Sequence, residues 1–201
     1  MKKKLVKILG LSYSQTQSGS YVVVLSESKG KRKIPIIIKP TEAQQIAIKI
    51  EGMKSPRPLT HDLFKSITDA YMVDVQEIFI HTLLEGVFYT KMITSNGLDI
   101  IDIECSVGDG IALAMVYKCP IYVSSDVIDT SGILMNDDGS VIKDDSVDLE
   151  FDDEKPVKRN IMSIDDMEQL MNDAINNEEY EIAAELRDKI QKMKENIKNN
   201  K

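Results

Sequence analysis

The chain has 201 residues, 42% of them hydrophobic and 29% charged, with a formal net charge of −8. That length fits one buried core plus an appendage, at about 100 to 200 residues per domain. No apolar run approaches the roughly 18 residues that cross a bilayer, and the Lys-rich start lacks the apolar stretch and cleavage site of a signal peptide. The expected location is therefore the cytoplasm, with no membrane partner.

The charge is unevenly spread. Residues 1–128 carry 15 Lys and Arg against 13 Asp and Glu, whereas residues 129–201 carry 10 against 20. A polyanion is repelled by the second part and not by the first, where Lys2, Lys3, Lys4 and Lys7, then Lys29, Lys31, Arg32 and Lys33, form basic groups.

In chain order, residues 4–13 and 20–27 are rich in Val, Ile, Leu and Tyr and read as strands, with a polar connector between them. A third strand spans 34–38, with Pro35 near its start. Pro40 and Thr41 then open a helix carrying Ala43, Ile46, Ala47 and Ile50 at helical spacing, which Gly52 and two prolines end. A second helix follows, with Thr60 as its expected cap and Asp62 at the positive end of its dipole. Glu42, Arg57, Thr60, His61 and Asp62 are expected to pack between these two helices. Further strands are expected at 73–82, 86–95 and 98–105, the last pair joined through Asn96-Gly97. A helix over 108–118 and a short one from 124 complete this half.

A shift of 67 lays Glu42 to Ile48 on Asp109 to Met115, and a shift of 64 lays Leu59 to Phe64 on Val123 to Ile128. This reads as an internal duplication, two units of three strands and two helices in an α+β domain over residues 1–130. Arg57 and His61 are matched by Ile121 and Ser125, so they need a reason other than scaffold. His81 reads as a core or edge residue of its strand, and Cys105 and Cys119 as two buried thiols.

Residues 131–160 read as a flexible acidic linker, in which Asp137-Asp138-Gly139 fails as a calcium loop because Leu134 and Met135 replace oxygen ligands. Residues 161–199 read as an antiparallel helical hairpin. Ser163 is its expected cap, Ile164, Met167, Leu170, Met171, Ala174 and Ile175 share one face, and the pattern resumes at Tyr180 after Asn176-Asn177. So small a hairpin needs something to pair with.

Ile34-Pro35-Ile36, Glu42-Ala43, Arg57-Pro58-Leu59-Thr60-His61-Asp62-Leu63, Asp109 to Ala114 and Pro120 to Val123 resemble the bifunctional nuclease domain family. The resemblance covers roughly residues 4–130. It implies a barrel-like mixed sheet, nuclease activity on DNA and RNA, and a homodimer. This chain departs from the family pattern at Lys39, where glycine is common, and at Ser106-Val107-Gly108, where an Arg-containing triplet is common. Residues 164–194 resemble the UVR motif by which UvrB and UvrC associate, which implies a protein partner.

Two functions follow. A nuclease needs a proton acceptor for water and positive charge on the developing phosphorane. His61 is the candidate acid or base, with Asp62 and Arg57 beside it; Lys39, Lys31 and Arg32 are candidates for phosphate. Glu42, Asp62 and Asp109 are candidate ligands for magnesium or manganese. The alternative is a non-catalytic adaptor that uses the hairpin for partner binding or self-association.

Overall fold

The computed structural model describes residues 2–14, 19–53, 55, 57–134 and 164–199. Three antiparallel strands open it: β1 (Lys3–Tyr13), β2 (Tyr21–Glu27) and β3 (Arg32–Ile38). Alternation is clearest in β3, where Ile34, Ile36 and Ile38 are buried and the residues between them are not. Helices α1 (Pro40–Ile50) and α2 (Thr60–Ala70) follow, then β4 (Asp74–Leu84), β5 (Val87–Ser95) and β6 (Ile100–Cys105). Glu85 and Gly86 both have positive φ, which is the two-residue turn whose twist suits a hairpin. After α3 (Val107–Tyr117) come β7 (Ile121–Ser124), α4 (Ser125–Ser131), β8 (Ile133–Leu134), and the helices α5 (Ile164–Asn176) and α6 (Tyr180–Asn199).

Among the described residues the eight strands form one sheet in the order β6-β5-β4-β7-β1-β2-β3-β8. Only β4 and β7 run parallel. Among the described residues the sheet is mixed and open, with β6 and β8 at its edges, so it does not show the barrel-like closure implied by the resemblance. Nor are the two units strict copies. In the second, β7 intervenes between the helices and joins the halves by pairing with β4 on one side and β1 on the other. Strand β8 lies just past residue 130 and pairs with Arg32 and Lys33. The rest of the expected linker, residues 135–160, and the expected cap Ser163 lie outside the described residues.

Helices α1 and α3 pack against each other, α1 over β2 and α3 over β4 and β5. Close approach of α3 depends on Gly110: a Cβ there would lie 3.1 Å from Thr90, 3.2 Å from Ile78 and 3.3 Å from Cys105. Gly110→Val is expected to cost about 1–3 kcal/mol by overpacking, read as a lower urea midpoint at unchanged slope.

The two C-terminal helices form the expected hairpin. Glu178 turns it with φ 62, and Lys194 near the end of α6 pairs with Glu168 near the start of α5. The hairpin does not stand apart: Met167, Leu170, Ala174, Ile182, Ala183, Leu186 and Ile190 are buried in the same hydrophobic cluster as the sheet. Polar contacts reinforce the docking. The Tyr21 hydroxyl donates to Asp173 (2.8 Å), the Tyr13 amide to Asp166 (2.9 Å), Gln44 Nε2 to Glu179 (2.8 Å), and Lys189 Nζ to the Glu51 carbonyl (2.9 Å). Burial and then the Asp173 carboxylate push the Tyr21 hydroxyl well above the usual phenol range, so it stays a donor. No helix among the described residues is long and apolar enough to cross a membrane.

Candidate functional site at three helix starts

Glu42, Asp62 and Asp109 each occupy the third residue of a helix, α1, α2 and α3 respectively. At that position a carboxylate can reach back to an unpaired backbone N–H and complements the helix dipole. Two of the three do so. The Lys39 amide donates to Glu42 Oε2 (3.0 Å) and the Leu59 amide to Asp62 Oδ2 (3.2 Å). Leu59, not Thr60, is therefore the cap residue of α2; Thr60 is exposed in its first turn.

Asp109 is released from that duty because Ser106 supplies a hydroxyl. Ser106 Oγ accepts from the Asp109 amide (3.0 Å) and donates to Asp109 Oδ2 (2.8 Å). The same hydroxyl lies 3.2 Å from Glu42 Oε1. It has one hydrogen, and the shorter contact takes it. The other oxygen of Asp109 faces His61, with Oδ1 3.2 Å from Nε2. Glu42, Ser106, Asp109 and His61 thus form one connected cluster where the first turns of three helices meet.

Exposure separates the roles within this cluster. The His61 side chain is 11% exposed and that of Asp109 is 49% exposed. His61 Nδ1 is buried with no partner among the described residues. The imidazole is therefore enclosed, and the carboxylate it touches is the group open to solvent.

The hydrogen bonds of the Asp62 carboxylate go to Lys49 and the Leu59 amide. Lys49 Nζ donates to Asp62 Oδ1 (2.7 Å). Burial works against its ionisation, but the hydrogen bonds from Lys49 and the Leu59 amide outweigh it, so its carboxyl titrates below the usual range. Because the folded pKa is depressed, this stabilisation is present above the unfolded pKa, near 4, and is lost as pH falls through the folded value. Asp62→Asn is expected to cost about 1 kcal/mol or less near neutral pH and to shrink the fall in urea midpoint between pH 6 and pH 3.

Of the remaining expected residues, Arg57 and Lys39 stand exposed, Lys39 at the cap of α1 beside Glu42 and Arg57 three residues before α2. Lys31 is exposed at the turn between β2 and β3, while Arg32 pairs with Asp129. Of the expected metal ligands Glu42, Asp62 and Asp109, Asp62 is held by Lys49 and the Leu59 amide. Among the described residues no three His, Cys, Asp or Glu side chains are placed to hold a metal ion. His81 contacts Thr82 within its strand region (2.9 Å). Burial pushes the half-buried thiols of Cys105 and Cys119 up to about 11, and in Cys105 the Asp109 charge adds to it, so both are poor nucleophiles. Ser106 was legible as the first residue of a Ser-x-x-Asp capping pattern; Lys49 had no such signal.

The model of the bifunctional nuclease domain matches residues 23–136, a span that contains every member of this cluster. The chain belongs to the bifunctional nuclease domain family. Two uncharacterized proteins of Mycobacterium tuberculosis, from different strains, are each 35% identical to it over 133 residues, 66% of this chain and 79% of theirs. A second model, the UvrB/uvrC motif, matches residues 163–196. The bifunctional nuclease domain thus holds the cluster, and the motif holds the docked hairpin.

Proposed function

We propose that the chain hydrolyses phosphodiester bonds of DNA or RNA at the junction of α1, α2 and α3. The observation that carries this reading is the Asp109 carboxylate: half exposed, free of capping, and hydrogen-bonded on one oxygen by Ser106 and on the other by His61. In the proposed step a water oxygen bonds to phosphorus as the bond to the leaving oxygen breaks. Asp109 takes the water proton, and the leaving oxygen takes a proton from solvent. Lys39 beside Glu42 and Arg57 in the exposed segment before α2 supply positive charge to the non-bridging oxygens. His61 acts as a positioning residue, because its free nitrogen is enclosed. No step is assigned to Asp62, whose charge is committed to Lys49, and none is routed through a metal.

The test uses the full chain on labelled single-stranded DNA and RNA, with magnesium, with manganese and with chelator, beside Asp109→Asn. Cleavage that follows the protein through purification and is lost in a variant with unchanged melting is the expected result. Equal cleavage by both, or none by either, overturns the reading. Binding without turnover would then favour a non-catalytic adaptor, a role supported by the UvrB/uvrC motif and by Ser106 standing where the family commonly carries an arginine-containing triplet.

A further inference from the structure

The hairpin faces a conflict between two uses of one surface. An amphipathic pair of helices this short is stable only when its apolar side is covered. Here that side is covered by the chain's own α1, β1 and β2. Met167 is fully buried, and Leu170, Ala174 and Leu186 are 1% exposed. Among the described residues, the large apolar side chains that the docked hairpin leaves exposed are Ile175 and Tyr180, too few for a second interface of ordinary size. The polar ties are specific as well: Tyr21 to Asp173, Gln44 to Glu179, and Lys189 to the carbonyl and the carboxylate of Glu51. Docking is intramolecular, so an outside partner competes against a tethered one.

We infer that α1, β1 and β2 form a receptor surface for this UVR hairpin, filled in cis, and that the hairpin pairs with the hairpin of a second copy only after leaving it. Undocking uncovers the part of the hairpin's apolar surface that packs on α1 and β1, and an equally undocked hairpin on another chain offers the same surface in return. Partner binding and cis docking are then mutually exclusive. This inference is independent of the nuclease reading, because none of its contacts involves Glu42, His61, Ser106 or Asp109.

The test exploits a single buried contact. Gln44 is 5% exposed and donates to Glu179, so Gln44→Glu sets carboxylate against carboxylate without changing shape. In the full chain, hydrogen exchange within residues 164–199 should rise about tenfold or more, and sedimentation should show added self-association. Exchanging the two groups, Gln44→Glu with Glu179→Gln, restores a donor and should reverse both effects. If Gln44→Glu disturbs the sheet domain itself, the partly buried Lys189–Glu51 pair serves instead, with Lys189→Glu opposing Glu51 and Glu51→Lys as its reversal. Exchange that stays unchanged when the pairs are broken, or released hairpins that never associate, overturns the inference.

Discussion

Asp109→Asn is expected to slow phosphodiester cleavage by about 10²–10⁴-fold, the range for losing a positioned proton acceptor, with little change in stability. The asparagine carbonyl keeps an acceptor for one of Ser106 and His61 while its amide faces the other as a donor, and it cannot take the water proton. The same geometry orders the other substitutions. His61→Ala should lower turnover less than Asp109→Asn, with a changed pH profile, because it removes an orienting contact to one carboxylate oxygen. His61→Gln, which retains a donor, should recover part of that loss. Were the enclosed imidazole the proton acceptor itself, His61→Ala would be at least as damaging as Asp109→Asn, and the assignment would reverse. Asp62→Asn should leave turnover intact, since its partners are Lys49 and a backbone amide. Rates measured with saturating and limiting substrate separate these cases from Arg57→Ala and Lys39→Ala, which should weaken substrate binding as well.

Leu186→Ala should destabilise the whole protein by about 2–5 kcal/mol, the cost of emptying a fully buried leucine site. Leu186 lies in the hairpin, yet it belongs to the cluster that also contains Ile36, Ile46 and Ile78. A shared core predicts a single unfolding transition, shifted as one, when fluorescence and helical circular dichroism are followed together. Two separated transitions, with only the helical signal moving, would mean that hairpin and sheet domain unfold independently.

Much of the fold was legible because local signals were strong. Pro40 at the first helical position and apolar residues at helical spacing located α1, and the isoleucine-rich run Ile34 to Ile38 with Pro35 near its start located β3. Errors arose where the deciding contact was distant. Thr60 has the chemistry of a cap, but Asp62 reaches back to the Leu59 amide and moves the boundary by one residue. Ile121–Ser124 is too short to announce itself between two helices, and only its neighbours Ile78 and Val6 make it a strand. The site was half readable. Spacing marked Glu42, Asp62 and Asp109 as first-turn acids, but it could not say which of them a lysine thirteen residues upstream would capture. Amphipathicity showed that the hairpin needs a partner without showing that the partner is its own chain.

The position of β7 has a consequence for synthesis. Strands β1 to β3 and β4 to β6 leave the ribosome first, and the short segment that joins them, Ile121–Ser124, emerges after both. A nascent chain halted before residue 121 therefore holds two half-sheets, with the β1 and β4 edges facing water and unpaired. Bare edges of this kind recruit other strands, so the interval before β7 arrives is when the growing chain is most exposed to mispairing. Productive folding of the domain is thus held back until its second half is almost complete, however early the first half is made.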